Sequence, residues 1–323
     1  MREVFTERGL IMQSEFSNTT VIKGIALSAL ASTFWGISGV VTQFISQNLT
    51  IPAAWFLSMR TFGAGVTLLL ISFLFYGPKK TLGVFKNWKS VGILLAYALI
   101  GLAANMGSFY VSIQTGNASA TTILQYLAPL FVVAGAFFFK HIRPLRSDLI
   151  SFLLCLVGVF FALTKGDMTQ LAIPMDSLIW GLISAVTAAC YVVFPRPLIA
   201  AGNPPFVVLG WGTLIASIGF NTNHPFWHNH PTVSWQLVVA VAAVILIGTI
   251  MSFSTLLYSL RFAPSDVVSI MDAVQPIVTS VLSVVFLGLH MTWIETLGVI
   301  IVIVAIYILQ NSRQKLEKNA KTF

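Results

Sequence analysis

Apolar residues along this chain of 323 residues are grouped into ten stretches that short polar gaps separate. About 20 helical residues, at a rise of 1.5 Å each, cross a hydrocarbon core of ~30 Å. Each stretch has or approaches that length, which predicts an all-α integral membrane protein with ten transmembrane helices. The predicted helices are residues 23–45, 52–75, 90–112, 117–139, 147–164, 177–200, 204–220, 235–259, 267–288 and 293–310.

Lysines and arginines are concentrated in every second gap between the stretches. Of 18 lysines and arginines, 14 fall in the tails or in every second gap, and Lys23 and Arg196 lie at the ends of stretches on that same side. Lys165 alone falls in the other set of gaps, and Arg60 lies inside a stretch. Lysine and arginine are enriched in cytoplasmic loops of membrane proteins. The distribution therefore predicts cytoplasmic N and C termini, and we expect a multi-pass protein of the cell (plasma) membrane.

Composition supports this class. Hydrophobic residues make up 57% of the chain and charged residues 9%, against about 25% charged in soluble proteins. The net charge of +8 is explained by cytoplasmic loops that face an anionic leaflet. No basic stripe with interleaved aromatics indicates nucleic-acid binding. Cys155 and Cys190 lie in apolar stretches, so no disulfide framework is expected.

The loops are too short to hold a soluble domain, so any function must lie within the helical bundle. We expect a cytosolic tail at the N terminus, because its first 22 residues contain three acids and no cleavage site; translation from Met1 or Met12 stays open. The predicted domains are this tail (1–22), a first five-helix repeat (23–164), a second (177–310) and a basic cytosolic tail (311–323).

The two halves resemble each other. Aligning Pro129 with Pro276 places Gln125 opposite Asp272, and nineteen residues further on it places Asp148 opposite Glu295. Five helices per half is an odd number, so the second half must insert upside down relative to the first. Inverted repeats of this kind are common in secondary transporters, where the halves move around a central site.

Motifs in the first half resemble a known family. Phe34-Trp35-Gly36, Pro52 with Arg60-Thr61-Phe62, and Tyr110 with Pro129 are similar to the EamA type of the drug/metabolite transporter superfamily. The resemblance implies a ten-helix, two-repeat fold that moves small organic solutes. That family often has Gly-Glu after the fourth and ninth helices. This chain has His141-Ile142 and Gly288-Leu289 there, so the acid is absent from both halves.

Asp272 is the most informative candidate for a functional group. It lies about seven residues, or ~10 Å, into the predicted ninth helix, where acids are rare and often mark substrate or proton pathways. Ser265, Ser269, Gln275 and Thr279 share its helical face. We expect Asp272 to bind a cation or to carry the coupled proton. A hydrated, purely structural carboxylate is the alternative.

Further candidates for substrate binding are polar or aromatic residues in the middle of predicted helices. Aromatic side chains there can stack on a ring or contact a cationic amine, although ordinary core packing explains a lone mid-helix tryptophan more often. Together with Asp272, the predicted substrate-binding residues are Trp35, Asn105, Tyr110, Gln125, Trp211, Tyr258 and Gln275.

Arg60 needs a partner, because an isolated arginine at the bilayer centre costs at least ~2.5 kcal/mol. Asp272 or backbone carbonyls could supply it, so we expect a structural clamp rather than an anion-binding group. His224, His228 and His230 lie in one loop. We interpret them as part of an exterior loop and expect no metal and no cofactor.

Enzymes are disfavoured, because the chain has no phosphate loop, no His-Glu-x-x-His and no nucleophile elbow. A channel would need charge rings or a filter repeat, and a sensor would need an output domain. The sequence therefore predicts a secondary transporter of a small-molecule substrate, working by alternating access. The resemblance favours proton-coupled export of an amino acid or related metabolite; uptake of a quaternary amine such as choline is the alternative. Small residues at Ser28, Ser32 and Gly36 fit contacts within the bundle or in a homodimer.

Overall fold

The computed structural model describes residues 18–141, 144–165, 172–223, 225–228, 230–263, 268 and 271–322. Within these residues the regular structure is helical, and nine helices are long and apolar enough to cross a membrane. The nine are α1 (Val21–Asn48), α2 (Ala53–Lys86), α3 (Trp88–Thr115), α4 (Ala118–Phe139), α5 (Arg146–Thr164), α6 (Met175–Ala200), α7 (Pro205–Thr222), α8 (Trp235–Ser259) and α10 (Trp293–Ser312).

A shorter apolar helix, α9, spans Met271–Leu287. The stretch predicted there begins at residue 267, and part of its first turn lies outside the described residues, as do residues 1–17 of the predicted N-terminal tail. The all-helical membrane fold is confirmed. The count of ten transmembrane helices and the side on which the termini lie stay predictions.

Large apolar side chains cover the outside of the bundle. Phe139 is 88% exposed and Phe75 80%, as suits contact with acyl chains rather than water. Trp88, Trp235 and Trp293 are also exposed, and each begins a helix. Tryptophans at helix ends are typical of the membrane–water interface.

The third helix of each predicted repeat contains a π-helical segment. In α3 it is Tyr97–Ala104, and in α8 it is Leu246–Met251. A π segment adds a residue per turn and shifts the helical face that follows it, and such segments occur frequently at functional sites.

The fourth helix of each predicted repeat departs from regular α-helical geometry near its proline, and we call each departure an interruption. Helix α4 consists of Ala118–Gln125 and Ala128–Lys140, and α9 begins with a 3-10 turn at Met271–Ala273 before the α-helix Val274–Leu287. Proline stands early in the second piece in both cases, because its missing N–H is tolerated there. Gln125 and Asp272 therefore lie at the interruptions.

Both of these helices end in a left-handed residue. His141 has φ 53° and Gly288 has φ 65°, and each backbone N–H donates to the carbonyl five residues earlier, in Ala136 and Ser283. These are the positions where the family often has glycine. His141 keeps the left-handed cap without that glycine.

The fifth helix of each predicted repeat begins with an acid as its cap. Asp148 accepts a hydrogen bond from the N–H of Leu145, and Glu295 accepts one from the N–H of Thr292. Glu295 also forms an ion pair of 3.4 Å with Lys165. The caps, π segments and interruptions recur at matched places in the two halves, which supports the repeat; its inverted arrangement stays a prediction.

Small residues bring helices close together. At Gly298 in α10 an added Cβ would lie 2.5 Å from the carbonyl oxygen of Gly158 in α5. The stripe Ser28, Ser32, Gly36 faces α9: Ser28 donates to the carbonyl of Val268 at 2.8 Å, and an added Cβ at Gly36 would lie 2.8 Å from Val278. This stripe therefore packs against α9 within the bundle. A homodimer stays a prediction.

Candidate functional site

A central cavity of about 280 Å³ lies between the helices of the two halves. Helices α1 to α4 line it from the first half and α6 to α10 from the second. Its volume is near the lower end of the 300–1,000 Å³ typical of ligand pockets. A cavity of this size suits a small solute.

Six residues singled out from the sequence line this cavity. They come from α1, α2, α3, α4 and α9, and they are Trp35, Arg60, Asn105, Gln125, Asp272 and Gln275. Residues spread over 240 positions of the chain are thus brought to one place by the packing of the helices.

Asp272 and Gln125 make similar contacts, each with the opposite half. The hydroxyl of Ser32 in α1 donates to Oδ1 of Asp272 at 3.3 Å. Nε2 of Gln125 donates to the hydroxyl of Ser184 in α6 at 2.9 Å. The amide of Asn105 also donates to the carbonyl of Ser184, at 2.8 Å. Each interrupted helix is therefore tied to the first helix of the other half by a serine.

Asp272 has no ion pair within the part of the chain that the structure describes. An ionised carboxylate removed from water is unfavourable unless it is paired and hydrogen-bonded. Among the described residues Ser32 supplies its one hydrogen bond, which leaves it only partly compensated. A proton or a cationic group of a ligand would complete its environment.

Three other groups that line the cavity carry a buried atom without a hydrogen-bond partner among the described residues. They are Nε of Arg60, the hydroxyl of Thr122 and Oε1 of Gln310. No ion pair joins Arg60 to Asp272, although both residues are described. The predicted clamp at Arg60 therefore has no visible partner, and its guanidinium belongs to the cavity wall.

Aromatic rings form one wall of the cavity. Trp35 meets Phe253 edge to face at a centroid distance of 5.2 Å, and Phe253 meets Tyr191 at 6.4 Å. Behind them, Tyr97 stacks on Tyr191 at 5.8 Å. Of these, Trp35 was predicted from the sequence, whereas Tyr191 and Phe253 were not.

The sequence contained a signal for Tyr191, one of the two cavity residues that were not predicted. Tyr191 follows Ser184 and Ala188 at helical spacing, so all three share a face of α6. For Phe253 the sequence contained no such signal, because the π segment just before it changes the side of α8 on which Phe253 lies.

Comparison with known proteins agrees with this architecture. The model of the EamA-like transporter family matches residues 22–164 and again residues 176–310. The chain belongs to the EamA-like transporter family. The two matches cover most of the chain and divide it between α5 and α6.

Relatives of this EamA-type chain are named as transporters. It is 30% identical to the uncharacterized inner membrane transporter YicL of Salmonella typhimurium, over 91% of this chain and 97% of the relative. It is 24% identical to the threonine/homoserine exporter RhtA of Escherichia coli K12, over 75% and 79%. A crystal structure 16% identical in sequence aligns with a TM-score of 0.59, over 93% of this chain and 99% of the other, and shows a shared fold.

Three of the predicted site residues are not among the described residues that line the cavity of this EamA-type chain. The hydroxyl of Tyr110 donates to the carbonyl of Ile51 at 2.7 Å in a buried cluster. The indole of Trp211 donates to the carbonyl of Thr81 at 2.8 Å. Tyr258 is 45% exposed and packs against Phe262. The first two are held by structural contacts.

The remaining candidates concern the histidines and the polar face of α9. Among the described residues no cluster of histidine, cysteine and acids could hold a metal ion. His224, Ser265 and Ser269 lie outside the described residues. Gln275 and Thr279 continue the polar face, and Thr279 donates to the carbonyl of Gln275 at 2.9 Å.

Proposed function

We propose that this EamA-type protein is a secondary active transporter that exports an amino acid or a related metabolite by alternating access. Both termini are cytoplasmic, the membrane is the plasma membrane, and Asp272 exchanges the coupled proton. The observation that carries the proposal is the small central cavity, which both halves build and which holds a carboxylate that has no ion pair among the described residues.

Alternating access needs a site between two bodies that move relative to each other. Serines of one half hold the interrupted helix of the other half on both sides of the cavity, through Ser32 and Asp272 and through Ser184 and Gln125. Rocking of the halves would open the cavity to one face of the membrane while closing it to the other.

Coupling to protons rests on Asp272. A carboxylate in an apolar bundle must be neutralised, and either a proton or a positively charged solute can do this. Release of the proton on one side would allow the solute to bind, and its return would favour solute release. The name of RhtA as a threonine/homoserine exporter favours an amino acid as that solute.

Transport in proteoliposomes tests this function. With an acidic lumen, protons leave as labelled L-threonine enters, so an exchanger should accumulate threonine above its external concentration. Asp272→Asn should abolish this accumulation, because the amide cannot exchange a proton. The matched control is Asp176→Asn, which alters an exposed acid at the start of α6 and should transport like the wild type. Undiminished accumulation by Asp272→Asn would refute the coupling role.

One observation favours a second candidate, uptake of a quaternary amine such as choline. The ring of Trp35 and the carboxylate of Asp272 line the same cavity, and a methylated ammonium binds aromatic faces well. A thermal-shift screen separates the candidates, since a ligand at 100 times its Kd adds about 2.7 kcal/mol of stability. A shift with choline and none with amino acids would favour uptake.

A further inference from the structure

We propose that Arg60 and Thr122 form a carboxylate-binding end of the central cavity, so that the transported solute carries a carboxylate group. This inference rests on the proposed function, because it assigns the chemistry of the solute that the same cavity takes. It goes against the sequence-based expectation that Arg60 is a structural clamp.

The first argument is the unpaired charge of Arg60. Its Nε is buried and has no hydrogen-bond partner among the described residues, and its side chain lines the cavity. The ion pair present in the described part of the chain joins Lys165 to Glu295. A guanidinium within an apolar bundle requires compensation, and a ligand in the cavity can provide it.

The second argument is the geometry of the guanidinium. Its donors form a planar fork that matches the two oxygens of a carboxylate, which it binds through two parallel hydrogen bonds. A neutral carbonyl would satisfy the donors but leave the charge uncompensated. The group that best completes this end of the cavity is therefore an anion with two adjacent oxygens.

The third argument is that Thr122 lies at nearly the same depth in the bundle as Arg60. Arg60 lies seven residues after the start of α2 at Ala53, and Thr122 lies four residues after the start of α4 at Ala118. Both starts lie beside the end of α1, because Gln43 accepts a hydrogen bond from the N–H of Ala118 and α2 follows α1 after a short loop. At 1.5 Å per residue the two Cα atoms differ in depth by about 5 Å.

Thr122 offers a hydrogen-bond donor beside a glycine of α1. Its hydroxyl is buried without a partner among the described residues. Across from it stands Gly39 of α1, where even an added Cβ would remain 3.9 Å from the hydroxyl oxygen. Because Gly39 has no side chain, a carboxylate oxygen that enters between α1 and α4 would meet the hydroxyl of Thr122 and no side chain of residue 39.

The opposite charge lies toward the other end of the bundle. Asp272 is bonded to Ser32, which stands 16 residues before the last residue of α1. At 1.5 Å per residue, Ser32 therefore lies roughly 14 Å further than Arg60 from the end of the bundle where α1 ends. A zwitterion in the cavity would thus point its carboxylate toward Arg60 and its ammonium toward Asp272.

Binding measurements with matched solutes test the inference. Dissociation constants of purified full-length protein are measured calorimetrically for L-threonine, for L-threonine amide, for 3-hydroxybutyrate and for choline. Wild type should bind L-threonine at least ten-fold more tightly than its amide. Arg60→Gln should lose this preference by weakening threonine and not the amide. Arg60→Lys keeps the charge without the fork and should fall between the two, and Thr122→Val should weaken threonine by a smaller factor.

The control is Arg196→Gln, which removes an exposed arginine near the end of α6 and should leave every constant unchanged. Should Arg60→Gln not fold, the comparison of acid with amide in wild type and in Arg60→Lys still decides.

Equal affinity of Arg60→Gln and wild type for L-threonine would overturn the inference and leave the proposed function intact. Arg60-dependent binding of 3-hydroxybutyrate without threonine would uphold the inference and refute an amino acid as solute. Binding of choline or the amide alone, or of no carboxylate, would overturn the inference.

Discussion

Ser32 donates a hydrogen bond of 3.3 Å to the carboxylate of Asp272, across 240 residues of the chain. It thereby joins the first helix of one half to the interrupted helix of the other. Gln125 and Ser184 form the corresponding bond between the other pair of helices. The acceptor in the first bond is a carboxylate, whereas the donor in the second is a neutral amide. The chemistry of the cavity is therefore asymmetric although its architecture repeats.

Replacing Ser32 should impair transport through Asp272. Hydrogen bonds to charged groups contribute about 1.5 kcal/mol or more, so Ser32→Ala should lower proton-driven accumulation of L-threonine in proteoliposomes by about ten-fold. The Kd for L-threonine should be the same in Asp272→Asn and in the double variant with Ser32→Ala, because both changes act on one interaction. Ser28→Ala, which removes a bond to the carbonyl of Val268, is the matched control. A weaker Kd in the double variant than in Asp272→Asn would argue against this pairing.

Tyr110→Phe should destabilise the protein and leave solute binding intact. The hydroxyl bonds the carbonyl of Ile51 at 2.7 Å in a buried cluster, and its removal leaves that carbonyl unsatisfied at a cost of about 1–3 kcal/mol. Thermal unfolding in detergent should show a lower midpoint, with the Kd for L-threonine unchanged. Tyr258→Phe, at a half-exposed ring, should change neither quantity. A weakened Kd in Tyr110→Phe would restore this tyrosine to the site.

His141→Gly should stabilise the protein. His141 has φ 53°, a conformation that costs a residue with a Cβ roughly 1 kcal/mol and glycine almost nothing. Gly288→Ala should do the opposite at the matching position, where φ is 65°. The measurement is the unfolding midpoint of both variants, with Gly92→Ala, in an open helical position of α3, as the control. A lower midpoint for His141→Gly would show that the imidazole is needed there.

Gly298→Leu should separate α5 from α10. A Cβ at Gly298 would already lie 2.5 Å from the carbonyl oxygen of Gly158, and overpacking of such a contact typically costs 1–3 kcal/mol. We expect a lower unfolding midpoint and reduced membrane expression. Gly135→Leu serves as the control, because a Cβ there meets only the ring of Phe139 at 4.0 Å. Wild-type stability of Gly298→Leu would contradict the close approach.

The sequence by itself determined where the helices run. The stretch predicted at 235–259 is α8, Trp235–Ser259, and the one at 147–164 differs from α5 by a single residue. This succeeds because a chain in lipid must satisfy its backbone hydrogen bonds within each helix, so apolar length alone marks a crossing. The same physics singled out Asp272, Gln125 and Arg60, since polar side chains in such stretches are costly and therefore rare.

Only the tertiary structure decided which of the candidate side chains meet. Trp35 lines the cavity, whereas Tyr110 and Trp211 bond to backbone carbonyls elsewhere, although all three lie mid-helix. Periodicity places residues on a common face of a helix, but it does not say which neighbour that face meets. The interruptions in α4 and α9 and the π segments in α3 and α8 then rotate the faces that follow them. Among the described residues, the same packing leaves Arg60 without an ion pair to Asp272, one of the partners that the sequence left open.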